Sequence, residues 1–211
     1  TPGVADVVDI PGIKKGYYGG QSQVNPTGVV PVGPFIDLMV PHNRGDVAAS
    51  RVAEALEQAA DDPNIDAIIL RIDSPGGSAL AAEEIWRSIG IAQQAGKPII
   101  ASFSDLAASG GYYVAVAADE IVSNDATLTG SIGVFALRPV LAGGLAKLGV
   151  TSQSLTRGRY ADFMVSSQPL SEGARMRMQA MVLQIYDLFV SRVAEGRGME
   201  LEAVDRVGQG R

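Results

Sequence analysis

Apolar residues recur with a helical period and then form a continuous run in the first half of the chain. One apolar face repeats at i, i+4 and i+7, through Val52, Leu56 and Ala59. This spacing predicts an amphipathic helix over residues 47–60, with Asp46 as its N-cap. Residues 65–72 (IDAIILRI) are β-branched and almost entirely apolar, which is typical of a strand buried on both faces.

The same alternation of helix and strand patterns continues along the chain. Ser78 can cap a second helix that extends to about Ala95, and residues 99–103 form a second apolar run. A helix over 108–118 and a short strand over 120–123 follow. The order strand, helix, strand, helix, strand implies parallel pairing with right-handed crossovers, so the predicted fold class is α/β.

The last third of the chain is predicted to be mainly helical. Residues 134–148 suggest the end of a strand followed by a helix, and Ser171 begins a long helix. One stripe of that helix contains Met178, Met181, Ile185, Leu188, Phe189 and Val193. Such a methionine-rich stripe is expected to face the core, and a contact between subunits is the alternative.

The N-terminal segment differs in composition from the rest. Residues 1–28 are rich in proline and glycine, which indicates either a linker or a loop-rich edge of the domain. The domain itself is predicted over 29–211. Because the chain opens at Thr1 without a start Met, we expect it to be part of a longer protein.

Composition excludes several classes of function. The 211 residues carry a net charge of −6, which disfavours a nucleic-acid partner. The absence of cysteine excludes disulfides, thiol catalysis and cysteine-type zinc sites. No run reaches about 18 consecutive apolar residues, so no membrane-spanning segment is predicted.

Two glycine-rich loops follow the two predicted core strands. In open α/β sheets, the carboxyl ends of the strands are where ligands bind. In the first loop, over 73–78, Gly76 and Gly77 can present backbone N–H groups without an obstructing Cβ. One such donor to a developing oxyanion is worth about 3–4 kcal/mol, although a simple strand-to-helix turn would have the same sequence.

The second loop, over 107–112, contains the candidate nucleophile Ser109. Small neighbours would let a carbonyl carbon approach its hydroxyl, and a helix N-terminus favours the negative charge that forms. A plain N-cap role for Ser109 is the alternative. A third segment with glycine and polar residues, over 128–133, is either another turn or a wall of the same site.

A nucleophilic serine requires a base. The only histidine, His42, lies far from the serine loop in sequence, so a Ser-His-Asp triad is poorly supported. A buried lysine is the natural alternative. None of the lysines has an obviously buried, small-residue context after the serine loop; they are Lys14, Lys15, Lys97 and Lys147.

Three segments together resemble one family. LRIDSPGGS (70–78), SDLAASGGYYVAVAADEIV (104–122) and TLTGSIGV (127–134) are similar, in order and spacing, to signal peptide peptidase A, the S49 serine–lysine peptidases. The resemblance implies a ClpP/crotonase-like fold of repeated ββα units, here with a C-terminal helical segment.

The resemblance also implies roles for individual residues. Ser109 would be the nucleophile, a backbone N–H of the Gly76–Gly77 loop would bind the oxyanion, and Ser131 would orient the lysine ammonium. We assign Gly110 and Gly111 to substrate binding. The implied chemistry needs no metal and no cofactor.

Family members cleave signal peptide remnants and other hydrophobic peptides at the extracytoplasmic face of the bacterial inner membrane, and they form bowl-like homo-oligomers. Hydrophobic peptides and further copies of the chain are therefore the expected partners.

The sequence departs from the family at one important position. Short members carry the lysine in a G-x-Y-K-D-like segment, whereas residues 158–162 read GRYAD, with Ala161 in the lysine position. Arg159 cannot replace lysine, because arginine does not deprotonate in proteins. In long members an N-terminal repeat supplies the lysine, so this chain resembles their C-terminal repeat. A Lys→Ala inactivation at 161 is the other explanation.

Two further classes of function remain open at this point. An acyl-CoA hydratase or isomerase of the same fold would use acidic groups, for which Asp73 and Asp105 are the nearest candidates. A non-catalytic half that only shapes an oligomeric chamber is the third possibility.

Overall fold

The structure is a computed structural model, and it describes residues 29–32, 35–37, 46–161, 163 and 168–210. The predicted lead-in over 1–28, with Lys14 and Lys15, lies outside these residues, and so does His42. The interpretations of these segments therefore stay predictions.

Within the described residues, strands alternate with single helices as far as residue 130, and three helices follow. The strands are β1 (Val29–Val32), β2 (Phe35–Asp37), β3 (Asp46–Ala48), β4 (Ile68–Ser74), β5 (Gly76–Gly77), β6 (Ile99–Ala108), β7 (Glu120–Val122) and β8 (Leu128–Gly130). The helices are α1 (Ala49–Asp61), α2 (Ala79–Gln94), α3 (Gly110–Ala115), α4 (Ala142–Lys147), α5 (Glu172–Arg197) and α6 (Leu201–Val207).

The strands form two sheets in which every pairing is parallel. The larger sheet has the order β1-β4-β6-β7, and β8 pairs with the second half of β6. The smaller sheet has the order β3-β2-β5. The α/β class and the parallel pairing predicted from the alternating pattern are confirmed. Because β4 and β6 are parallel neighbours, the loops that follow them leave the sheet at the same edge.

The core consists mainly of β4, β6 and the helices α1 and α2. Its fully buried large side chains include Leu56, Ile68, Leu70, Ile72, Ile85, Ile89 and Ile99. Burying one such side chain is worth about 1.5–3 kcal/mol, so these elements form the rigid part of the molecule that supports the two loops.

The chain divides into two compact units. One comprises residues 1–132 together with 189–211, and it contains all the strands just named. The other comprises residues 133–188 and contains α4 and the first part of α5. Several large apolar side chains of this second unit are exposed, among them Phe135, Leu137 and Leu155. None of the helices in the described ranges is long and apolar enough to cross a bilayer.

The predicted capping role of Asp46 is wrong. Asp46 begins the strand β3, and α1 begins three residues later behind Ala48, which makes no side-chain capping bond. Pairing of β3 with β2, in which Asp46 lies opposite Phe35, requires extended backbone at this position and overrides the local capping preference. The second cap is confirmed, because Ser78 Oγ accepts the Ala81 N–H at 3.3 Å.

Three element bounds also differ from the expectations. β6 continues to Ala108 instead of ending at 103, because β8 pairs with residues 106–108 of β6. The helix α3 is shorter than the predicted 108–118. The strand expected at the start of 134–148 is absent from the described structure, whereas the helix appears as α4.

The methionine-rich stripe of α5 is only partly buried. Phe189 and Val193 are buried as expected, but Met181 and Leu188 are 40% and 39% exposed. The core interpretation is therefore right for the C-terminal half of α5 and wrong for Met181 and Leu188. The helix itself begins as predicted, since Ser171 Oγ accepts the Ala174 N–H.

Two helical glycines in the core unit should respond oppositely to alanine. A Cβ at Gly90, on α2, would meet no atom within 4 Å, so Gly90→Ala should raise the free energy of unfolding by about 0.5–1 kcal/mol. A Cβ at Gly196, on α5, would overlap the carbonyl oxygen of Val116, so Gly196→Ala should lower it by about 1–3 kcal/mol. Urea denaturation of both variants measures the difference. Equal effects would contradict the close packing of α5 on Val116.

Candidate active site

Ser109 occupies the turn between β6 and α3 in a conformation that few residues other than glycine adopt. Its backbone angles are φ 49° and ψ −119°. Left-handed backbone of this kind costs about 1–3 kcal/mol and persists only where neighbouring groups enforce it. Two hydrogen bonds hold it: Ser109 N–H donates to the Gly130 carbonyl at 2.9 Å, and the Tyr113 N–H donates to the Ser109 carbonyl at 2.8 Å.

The loop over residues 73–78 at the end of β4, here called the glycine loop, lies directly against this turn. A Cβ at Gly76 would stand 2.7 Å from Gly110 N and 2.8 Å from Ser109 Cβ. It would also stand 3.1 Å from Ser109 Oγ, and Gly76 has a φ of +114°. We call the turn around Ser109, between β6 and α3, the serine turn. Any side chain at residue 76 would therefore collide with the serine turn and would also strain the backbone of residue 76. The structure brings Ser109 and Gly76 into van der Waals contact across 33 positions of sequence.

The two amides of the glycine loop are not equivalent. Gly76 N–H donates to Ser74 Oγ at 3.1 Å, so this donor already has an acceptor inside the loop. Gly77 N lies 3.2 Å from the point where a Cβ of Gly110 would stand, so this nitrogen lies next to the serine turn. Ser74 is fully buried, and its role in shaping the loop was not predicted from the sequence.

The remaining glycines predicted to bind substrate differ in their surroundings. Gly110 packs against the backbone of Gly76 and Gly77. Gly111 is buried against the end of β4, where a Cβ would stand 2.8 Å from the Ser74 carbonyl oxygen. Contact of Gly110 or Gly111 with a substrate stays a prediction.

The third predicted segment, over residues 128–133, contacts the serine turn through a strand, β8, and is not a simple loop. β8 pairs with the end of β6, and Thr129 Oγ1 donates to the Ala107 carbonyl at 2.7 Å. Ser131 follows β8 directly and has a left-handed φ of 48°. The Gly130 carbonyl bonded to Ser109 belongs to the residue before it, so the Ser109 and Ser131 backbones are adjacent.

The two described lysines lack the setting of a general base. Lys97 Nζ donates to the Asp62 and Ile65 carbonyls at 2.9 and 2.7 Å, near the start of β4 and therefore at the sheet edge opposite Ser109. Lys147 is exposed on α4. Ala161 is exposed in a turn, where its N–H donates to the Gly158 carbonyl at 3.3 Å.

The acidic candidates for acyl-CoA chemistry are on the surface. Asp73 and Asp105 are both exposed, so neither has the desolvated setting that tunes a carboxyl for acid–base work. Among the residues the structure describes, no group of three or more His, Asp or Glu side chains could hold a metal ion.

The fold and this turn define a class, a ClpP-like α/β protein with a serine at a strained strand-to-helix turn. A ClpP1 mutant from Listeria monocytogenes superposes with a TM-score of 0.51 over 85% of this chain and 77% of that chain, at 13% identity. This likeness confirms the predicted ClpP/crotonase-like fold. The profile of Peptidase family S49 matches residues 91–211, and the chain belongs to that family.

Curated relatives agree with the family assignment. The chain is 39% identical over 166 residues to "Serine protease SPPA, chloroplastic" of Arabidopsis thaliana and 36% identical over 166 residues to "Protease 4" of Salmonella typhi. These matches cover 78% and 79% of this chain but only 24% and 27% of the two relatives. "Putative signal peptide peptidase SppA" of Enterococcus faecium is 35% identical, over 74% of this chain and 45% of that protein.

Alanine at Gly76 should disrupt the serine turn specifically. Its Cβ would displace Ser109, so Gly76→Ala should reduce the rate at which a serine-directed fluorophosphonate labels Ser109 at least a hundredfold. Gly96→Ala is the matched control: Gly96 also has positive φ, +85°, but a Cβ there would meet no atom within 4 Å. Both variants should lose some stability, whereas only Gly76→Ala should lose labelling in the full-length protein. Equal labelling of the two would contradict the assigned contact.

Proposed function

We propose that this chain carries the nucleophile of a serine endopeptidase with a Ser/Lys dyad, and that Ser109 forms an acyl-enzyme. The observation that carries the proposal is the strained backbone of Ser109, whose hydroxyl packs against the Gly76 backbone. Strain of this kind at a polar residue is characteristic of active sites. Membership of Peptidase family S49 supports the same conclusion.

The reaction proceeds through two balanced half-reactions. Ser109 Oγ attacks the peptide carbonyl carbon while its proton passes to a neutral lysine amine, and the carbonyl oxygen becomes an oxyanion. The C–N bond then breaks, and the lysine ammonium returns the proton to the leaving amine. A water molecule, deprotonated by the same lysine, then attacks the ester carbonyl carbon. The bond from that carbon to Ser109 Oγ breaks, the lysine ammonium returns its proton to Oγ, and the carboxylic acid product leaves. No metal or organic cofactor enters either step.

The oxyanion donor is proposed to be the Gly77 N–H. Of the two glycine-loop amides, the Gly76 amide already donates to Ser74, whereas the Gly77 nitrogen lies next to the serine turn. Preorganised donors of this type act without reorganisation as the charge develops. Ser131, one residue beyond the carbonyl that binds Ser109, is proposed to orient the lysine ammonium.

The lysine is proposed to come from an N-terminal repeat of the same longer protein. Ala161 stands where short members carry lysine, and Lys97 is engaged far from Ser109. The chain spans only about a quarter of its first two relatives, which supports an additional repeat. The Ser109-bearing chain would then be the C-terminal repeat.

The proposed substrates are cleaved signal peptides and other hydrophobic peptides, handled at the extracytoplasmic face of a bacterial inner membrane by a homo-oligomer. The name of the Enterococcus faecium relative, a signal peptide peptidase, supports signal peptides as the substrate class. The enclosed chamber of an oligomer would keep a lysine-dependent site away from folded proteins.

Replacement of the nucleophile tests the central claim. In the full-length protein, Ser109→Ala should abolish fluorophosphonate labelling and reduce peptide hydrolysis at least a thousandfold, because no acyl-enzyme can form. Ser88→Ala is the matched control, since the Ser88 hydroxyl only donates to the Glu84 carbonyl within α2. Labelling that survives in Ser109→Ala, followed by mass-spectrometric mapping elsewhere, would reject the proposal.

Introduction of a lysine at position 161 separates the two explanations of the missing base. If another repeat supplies the lysine, the full-length protein hydrolyses peptides and Ala161→Lys does not accelerate it, while residues 1–211 expressed separately are inactive. Ala161→Arg is the matched control, because arginine adds the charge but cannot act as a base. An inert full-length protein that Ala161→Lys activates would show instead that this chain is an inactivated short form.

A further inference from the structure

A buried charged cluster is connected to the serine turn through Tyr113, but none of its side chains takes part in the proposed reaction. Glu83 on α2 is only 7% exposed, and it accepts hydrogen bonds from three side chains. Tyr113 OH donates at 2.5 Å, Arg192 Nη2 at 2.8 Å and Arg87 Nε at 2.9 Å. The cluster thus joins α2, α3 and the C-terminal half of α5 in one unit of the molecule.

Two members of the cluster, Tyr113 and Glu83, are each connected to one side of the proposed site. Tyr113 donates its backbone N–H to the Ser109 carbonyl and its hydroxyl to Glu83. Glu83 lies five residues after Ser78, which caps α2 at the end of the glycine loop. The hydrogen bond from the Tyr113 hydroxyl to Glu83 therefore connects the Ser109 side of the site with the glycine-loop side.

The side of the cluster formed by α5 is equally constrained. The guanidinium carbon of Arg192 lies 3.6 Å from the centroid of the Trp86 ring, and Arg192 also pairs with Glu195 at 3.2 Å. The Tyr113 ring packs on Phe189 with centroids 4.9 Å apart. A cation that stacks on Trp86 and also pairs with Glu195 gives Glu83 a fixed counter-charge.

The protonation states agree with the geometry. Burial opposes the charge on Glu83, yet the hydrogen bonds from Arg192, Tyr113 and Arg87 together lower the pKa of its carboxyl. Burial, followed by the bond to Glu83, raises the pKa of the Tyr113 phenol. Glu83 is therefore a permanent acceptor and Tyr113 a permanent donor at neutral pH.

We propose that Glu83, Tyr113 and Arg192 are positioning residues that hold the Ser109 turn in register with the glycine loop. The inference rests on the proposed function of Ser109 and extends it to residues that touch no substrate. α3 has only six residues, too few to be stable by itself, so it depends on its contacts for orientation. Buried ion pairs contribute little net stability compared with apolar packing, but their directional bonds fix one arrangement.

The discriminating variant is Tyr113→Phe in the full-length protein. It keeps the ring on Phe189 and removes only the hydroxyl that reaches Glu83. The rate of fluorophosphonate acylation and kcat for a peptide should fall about tenfold or more, while KM changes less than twofold. Inhibition by a peptide aldehyde, which requires the oxyanion site, should weaken in parallel with kcat.

Two matched controls separate positioning from stability. Arg87→Met removes a donor to the same Glu83 carboxylate from the solvent side, where the Arg87 side chain is 69% exposed, and should leave acylation unchanged. Val52→Ala creates a cavity on α1, an element that supplies no atom to the cluster. It should lower the thermal midpoint without a matching loss of acylation rate at a temperature well below that midpoint.

The outcomes distinguish this inference from the proposed function. If the wild-type protein is not labelled at Ser109, the proposed function fails and the positioning role falls with it. If the wild type is labelled and Tyr113→Phe reacts at the same rate, only the positioning role is overturned. Equal losses of rate in Val52→Ala and Tyr113→Phe, at equal losses of thermal midpoint, would also overturn it.

Discussion

The contact between the Gly76 backbone and the Ser109 side chain is the constraint on which the site depends. It leaves no room for a Cβ at Gly76, and it requires both residues to adopt backbone angles that side chains disfavour. Two parallel strands make the contact possible, because β4 and β6 deliver their following loops to the same edge of the sheet. The apolar core beneath these strands supplies the rigidity that keeps two strained turns together.

Three parts of the structure hold Ser109 in its strained conformation. β8 holds the amide through the Gly130 carbonyl, the first turn of α3 holds the carbonyl, and the glycine loop confines the side chain. Each support comes from a different segment of sequence. These three supports together keep Ser109 in a disfavoured backbone conformation, which it would otherwise leave for that of an ordinary N-cap.

Much of this arrangement could be predicted from sequence because it depends on local signals. Apolar periodicity predicted the alternation of β4, β6 and β7 with the helices between them, and paired glycines after two apolar runs predicted both loops. Long-range pairing could not be read in this way. The bond from Ser109 to Gly130, the extension of β6 by β8 and the strand at Asp46 all depend on partners distant in the chain. The pairing of Glu83 with Arg192 spans 109 positions and leaves no local pattern.

The hydrogen bond between Ser109 and Gly130 has a consequence for biosynthesis. Chains emerge from the ribosome with their N-terminus first, so residue 109 leaves the tunnel before the carbonyl that restrains its amide. The strained backbone of Ser109 therefore cannot receive this restraint until residue 130 has also been synthesised and its strand has docked on β6. The turn that contains Ser109 is completed only when this later segment has joined the sheet.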